Sequence, residues 1–178
     1  MKILGVDPGS RAAGWALVDF TAAPVLVGAG VLRPPLKVSF AERLAFLHAA
    51  LASVIAAERP DAAAVERVFS GVNPQSLISL GEARGVLLLA LAQAGVPTAE
   101  VTPAEIKRAV AGSGSAEKEQ VRRMVTALLG RRLALDAADA AAAALTHGFV
   151  AARRGARFAA PPGARTSPGA PVWRRPAG

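Results

Sequence analysis

Residues 2 to 6 (KILGV) form a short apolar run that ends at Asp7-Pro8-Gly9. A short apolar run closed by such a turn reads as a buried strand, and it leaves the Asp7 carboxylate at the strand's exit. Residues 14 to 20 (GWALVDF) and 25 to 32 (VLVGAGVL) repeat the pattern across a turn at Thr21 to Pro24, which predicts an antiparallel three-stranded start. From Ser39 the period changes to 3.6, with Leu44, Leu47, Leu51, Val54 and Ile55 on one helical face, and Pro60 ends the run. Residues 62 to 68 (AAAVERV) return to a strand, but with Glu66 and Arg67 inside it.

Asn73-Pro74 opens the next helix, since asparagine caps free amides and proline tolerates the first helical position. That helix is expected to reach about Ala94. Its stretch Val86 to Ala92 (VLLLALA) is apolar all round, which predicts burial on more than one side, in the core or at a subunit contact. Thr98 to Val101 is a short strand, and Thr102-Pro103-Ala104-Glu105 is a capping box for another helix. GSGS at 112 to 115 is a loop, 116 to 129 a helix closed by Gly130, and a last helix runs from Asp136 to near Arg153. Strands alternating with helices specify an α/β layered domain. With 178 residues the chain can bury one core, here assigned to residues 1 to 152.

Residues 153 to 178 are rich in proline, glycine, alanine and arginine without periodicity, and are expected to form a disordered basic tail. Six of the 21 basic residues lie there and no acid does, leaving 15 basic and 13 acidic groups in the body. The formal charge of +8 suits a polyanionic partner and equally a merely soluble basic protein. The chain has no cysteine, so a metal would have to be held by oxygen or by one of two histidines, which favours magnesium or manganese. No stretch of about 20 uninterrupted apolar residues is present, and the start lacks a signal peptide's flanks. A cytoplasmic protein without a membrane segment is expected.

Asp136 and Asp139 are spaced to share one helical face. Taken alone, the pair is better explained by capping and by the helix dipole. Asp7 and Glu66 change that balance, because each is an acid in apolar surroundings, where a lone carboxylate is penalised unless it meets a cation or a proton. Together the four could surround two divalent ions, and such a pair activates water and stabilises the leaving oxygen of a phosphodiester.

A basic cluster, Lys107, Arg108, Lys118, Arg122, Arg123, Arg131 and Arg132, could hold phosphates or could form a solvated helix face. Lys118 and Arg122 share a face. Phe69 reads equally as a loop aromatic able to stack on a base and as a core phenylalanine. His147 lies about 16 Å along the helix from Asp136, too far to join it, and His48 is read as structural.

Four stretches, GVDPGSRAAG at 5 to 14, VERVFSGVNPQSLISLGEARGV at 65 to 86, GSGSAEKEQV at 112 to 121 and DAADAAAAALTH at 136 to 147, resemble the RuvC family of Holliday-junction resolvases in order and spacing. The resemblance spans nearly all of residues 2 to 150. It implies a ribonuclease H-like mixed sheet flanked by helices, and a homodimer that cuts four-way junction DNA by paired, symmetric nicks. It further implies that Asp7, Glu66, Asp136 and Asp139 are the catalytic carboxylates, holding two magnesium ions per active site, with manganese an alternative. Phe69 corresponds to an aromatic that stacks at the junction, and Lys107 and Lys118 to basic residues that handle the scissile DNA. Arg122 and Arg123 extend that DNA-binding surface. The implied partners are the RuvA and RuvB branch-migration proteins.

Three other readings compete. A kinase or ATPase of the actin-like class also begins with a strand, an acid and a glycine turn, but normally needs two such domains. A nuclease acting on RNA–DNA hybrids would share the four-acid chemistry. A non-catalytic junction-binding protein would not need all four acids.

Overall fold

The computed structural model describes residues 1–67, 73–153 and 155. Strands β1 (Lys2–Asp7), β2 (Ala13–Asp19) and β3 (Val25–Leu32) form the expected antiparallel start. Helix α1 (Phe40–Glu58) follows, opened by a capping box between Ser39 and Glu42 and closed by Arg59 in the left-handed region. Strand β4 (Ala62–Glu66) then pairs with β1 in parallel. Helix α2 (Pro74–Gln93) leads to β5 (Thr98–Val101), which pairs in parallel with β4. Helices α3 (Pro103–Ala111), α4 (Lys118–Leu129) and α5 (Leu135–Arg153) complete the chain. The mixed five-stranded sheet has the order β3-β2-β1-β4-β5.

Period-two alternation sends side chains to two separate cores. Leu4, Val6, Leu17, Ala63 and Val65 meet Leu47, Leu51 and Ile55 of α1 and Ala83, Leu87 and Leu91 of α2. Ile3, Ala16, Val18 and Ala64 meet Ile106 and Val110 of α3, Val121 and Val125 of α4, and the alanines of α5. The same parity decides where the acids go. Asp7 follows Ile3 and Gly5, and Glu66 follows Ala64, so both belong to the α5 side of the sheet.

α5 lies unusually close to that sheet. A methyl group added at Gly5 would stand 1.9 Å from the Ala140 carbonyl oxygen, and one at Gly14 would stand 1.9 Å from that of Asp136. The helix answers with its own small side chains, Ala137, Ala138 and Ala140 through Ala144, all buried. Alanine also has the highest helix propensity, so the requirement for small residues does not weaken the helix.

Several expectations need correction. The helix foreseen from residue 116 begins at Lys118, with Glu117 at the N-cap position and no side-chain capping bond, because Ala116 is turned into the core instead. Of the two alternatives for Val86 to Ala92, burial on more than one side within this chain's core does not hold: Leu87, Ala90 and Leu91 are buried, while Leu89 is 49% exposed. α1 and α2 are long and apolar enough, by length and composition, to cross a bilayer. Here each turns a buried stripe to the sheet, and Glu42, Arg43, Glu82 and Arg84 interrupt their sequences. The expected tail, apart from Arg153 at the end of α5 and Gly155, lies outside the described residues.

Candidate active site

Parallel pairing of β1 with β4 aligns Gly5 with Ala64 and Val6 with Val65, so Asp7 and Glu66 come next, side by side at the carboxyl ends of adjacent strands. On the other side Asp7 pairs with Gly14, the residue over which the first turn of α5 passes. Three chain segments distant in sequence thereby deliver Asp7, Glu66, Asp136 and Asp139 to one end of the sheet. Asp136 does not cap α5, as the bland reading of the pair supposed. The amide of Ala138 bonds to the Ala134 carbonyl, which puts Asp136 within the first helical turn.

Burial first, then the charges of Glu66, Asp139 and Asp136, together push the Asp7 carboxyl up to about 8, against the opposing effect of Lys118. Burial also raises Glu66, with Asp139 adding to the effect, while Lys118 and a hydrogen bond from Asp7 act the other way. The group therefore holds more negative charge than its surroundings stabilise.

Part of that excess is met by α4. Lys118 Nζ lies 2.7 Å from Asp139 Oδ2, and Arg122 Nη2 lies 3.4 Å from the same oxygen. The two cations reach it together because residues four apart share a helix face. Lys118 is 66% exposed and Arg122 only 21%, so one partner has room to leave and the other does not. Among the described residues no three acidic or histidine side chains are gathered tightly enough to cage an ion as they stand. Asp139 is turned to its lysine and arginine. The donor set nonetheless fits a hard divalent cation, being all oxygen and short of positive charge.

The remaining basic candidates divide. Lys107 and Lys118 line one cleft of about 190 Å³ together with Glu66 and Asp139. Arg122 sits at the site's border, and Arg123 faces a neighbouring cleft. Phe69 lies outside the described residues. His147 lines a different cavity with Glu105 and Arg108, and burial lowers its pKa, so it stands apart from the acids as expected. His48 is hydrogen-bonded to Gln93. Gly5 and Gly14 were not singled out from the sequence, although a glycine inside a strand is a recognised sign of close backbone approach.

The model of the family described as "Crossover junction endodeoxyribonuclease RuvC" matches residues 3–147. The chain belongs to the RuvC family. A RuvC-family member from Halorhodospira halophila is 51% identical over 148 residues, covering 82% of this chain and 89% of the relative. One from Sorangium cellulosum is 47% identical over 180 residues, covering 98% of this chain and 95% of the relative, so the likeness there continues through the arginine-rich tail. Among solved structures, Thermus thermophilus RuvC in complex with Holliday junction substrate superposes with a TM-score of 0.80 at 36% identity, covering 87% of this chain and 96% of that one. The fold is accordingly the ribonuclease H-like one of RuvC-family nucleases, and the chain has the family's crossover junction endodeoxyribonuclease character.

Proposed function

We infer that this chain resolves Holliday junctions in the cytoplasm, acting as a homodimer that places paired, symmetric nicks in junction DNA delivered by RuvA and RuvB. The observation that carries the reading is the meeting of Asp7, Glu66 and Asp139 beside Lys118 and Lys107, in a member of a nuclease family. Asp7, Glu66, Asp136 and Asp139 would hold two magnesium ions, or manganese, which when bound supply the charge that activates water and stabilises the leaving oxygen.

The chain's own residues do the rest. β1 and β4 fix Asp7 and Glu66 on rigid strand ends, and α5, seated on Gly5 and Gly14, fixes the other two acids against them. Lys118, long and exposed, can exchange Asp139 for a phosphate oxygen of the cut strand. Lys107 lines the same cleft and holds that strand. Phe69, in the segment after β4, supplies the aromatic surface for an unstacked junction base.

The reading is tested by offering a labelled four-way junction, a linear duplex and an RNA–DNA hybrid, each with magnesium. Paired nicks confined to the junction are expected. Cutting of the hybrid's RNA strand, or binding without cutting, would sink it.

A further inference from the structure

Two clefts flank Asp139. One is the lysine cleft already described. The other, of about 400 Å³, lies between α4 and the first turn of α5, where Arg122, Arg123, Thr126 and Arg132 line it with Leu135 and Ala138. Arg122, which lines this cleft, reaches Asp139 Oδ2 at 3.4 Å and so joins it to the acids. Gly130, with φ of 65°, ends α4 and turns the chain so that Arg132 returns to the cleft from the following loop.

The charge in this cleft is strongly one-sided. Glu119 is its single carboxylate, and it sits 3.9 Å from Arg122, which is also engaged by Asp139. Among the described residues no salt bridge involves Arg123 or Arg132. Both are exposed, and among the described residues neither has a carboxylate partner. Guanidinium forks with a nearby hydroxyl match the oxygens of a phosphodiester. No aromatic side chain lines the cleft, so it offers no platform on which a base could stack. Its chemistry is that of backbone contact, which positions a strand without reading its sequence.

We propose that this cleft is a phosphate subsite for the strand being cut, in which Arg123, Arg132 and Thr126 hold a backbone phosphate flanking the scissile one while Lys107 and Lys118 serve the scissile phosphate itself. The proposal rests on the nuclease reading above. It makes Arg122 the post between two adjacent phosphate sites and gives the strand a fixed direction across the acids.

The wild-type protein is first assayed for junction nicking with magnesium, and failure there overturns the nuclease reading rather than this subsite alone. Given nicking, Asp7→Asn protein is titrated by fluorescence anisotropy with junctions that carry one uncharged methylphosphonate at successive positions around the cut. One flanking position on one side should weaken binding about tenfold, as loss of a charge-assisted contact does. In the Asp7→Asn/Arg123→Gln/Arg132→Gln protein the same substitution should cost nothing more, and the slope of log affinity against log salt should fall by about one unit per lost contact. A methylphosphonate penalty of equal size in both proteins, or an unchanged salt slope, overturns the subsite. Should the arginine variant fail to fold, the scan on protein with both arginines intact still decides: no sensitive phosphate beside the cut means no subsite.

Discussion

Asp7 has the ordinary reference value of 3.8 and a folded value near 8, so between those limits the folded chain binds a proton that the unfolded chain releases. The contribution of this carboxyl to the stability of the metal-free protein therefore declines as pH rises from about 4 to about 8, while His147, lowered by burial, works the other way below its ordinary value of 6.5. Glu66, raised for the same reason, adds to the decline. The lowered carboxyls of Asp19, Glu42 and Glu105 act only below this window, where acid would take their stabilisation away. Thermal melts in EDTA between pH 5 and 8.5 should show a falling Tm, flattened by magnesium and by Asp7→Asn. A metal-free Tm that climbs across the window, indifferent to Asp7→Asn, would contradict the assignment. The kinetic counterpart is that Asp7→Asn, Glu66→Gln, Asp136→Asn and Asp139→Asn should each lose cleavage by orders of magnitude while junction binding persists, with double variants scarcely worse than single ones. Any one of them cutting at nearly the wild-type rate leaves the site. Asp7 and Glu66 stood out in the sequence because carboxylates in apolar strands demand a reason, whereas Asp136 and Asp139, on a helix, gained weight only beside them. The pairing of Asp139 with both Lys118 and Arg122 was not legible there, since it depends on how α4 is docked on α5.

Elements were read well where local chemistry decides them. The capping box at Thr102 and the Asn73 cap stand where expected, because each is a hydrogen bond between neighbours in sequence, and the box at Ser39, not foreseen although Glu42 stands three residues on, is of the same local kind. The start of α4 was misplaced because packing of Ala116 overrides its helix propensity. The seat of α5 was invisible for a similar reason: Gly5 and Gly14 look like ordinary strand glycines until a helix backbone is laid on them. That contact sets the height of Asp136 and Asp139 above Asp7. Gly14→Val should therefore impair cleavage in the fraction that folds, since the added side chain meets the Asp136 backbone and forces α5 to shift, and an ångström of displacement at a site of this kind can cost about a hundredfold in rate. Ala57→Val, at an exposed position of α1, serves as the comparison and should be nearly silent for cleavage. Equal losses of activity in the two variants, or wild-type activity in folded Gly14→Val, would show that α5 does not set the geometry in this way.

At the scale of the whole molecule, two surface features bear on partners: the basic tail and the outer face of α2. The tail holds arginines without acids, and removing it after Gly155 should leave a folded nuclease with a shallower salt dependence of DNA binding. Unfolding of the truncated chain would place the domain boundary elsewhere. The second concerns α2. Its inner stripe is spent on the sheet, yet Ile78 and Leu89 stay exposed on the outer side, with Gly81 and Gly85 between them and open space around both. A helix face of large apolar residues separated by glycines lets another helix approach closely, and a two-fold interface would use the same face on both copies. Two cuts placed symmetrically need two active sites, so this face is where a second copy best fits. Light scattering should report a dimer for the wild-type chain and a monomer for Ile78→Lys/Leu89→Lys, whose sheet-facing Leu87 and Leu91 are untouched. The monomeric variant should keep its fold and lose paired nicking, leaving at most single nicks. A variant that stays dimeric would move the interface to another surface, and a monomeric wild-type chain that still makes paired cuts would remove the need for one.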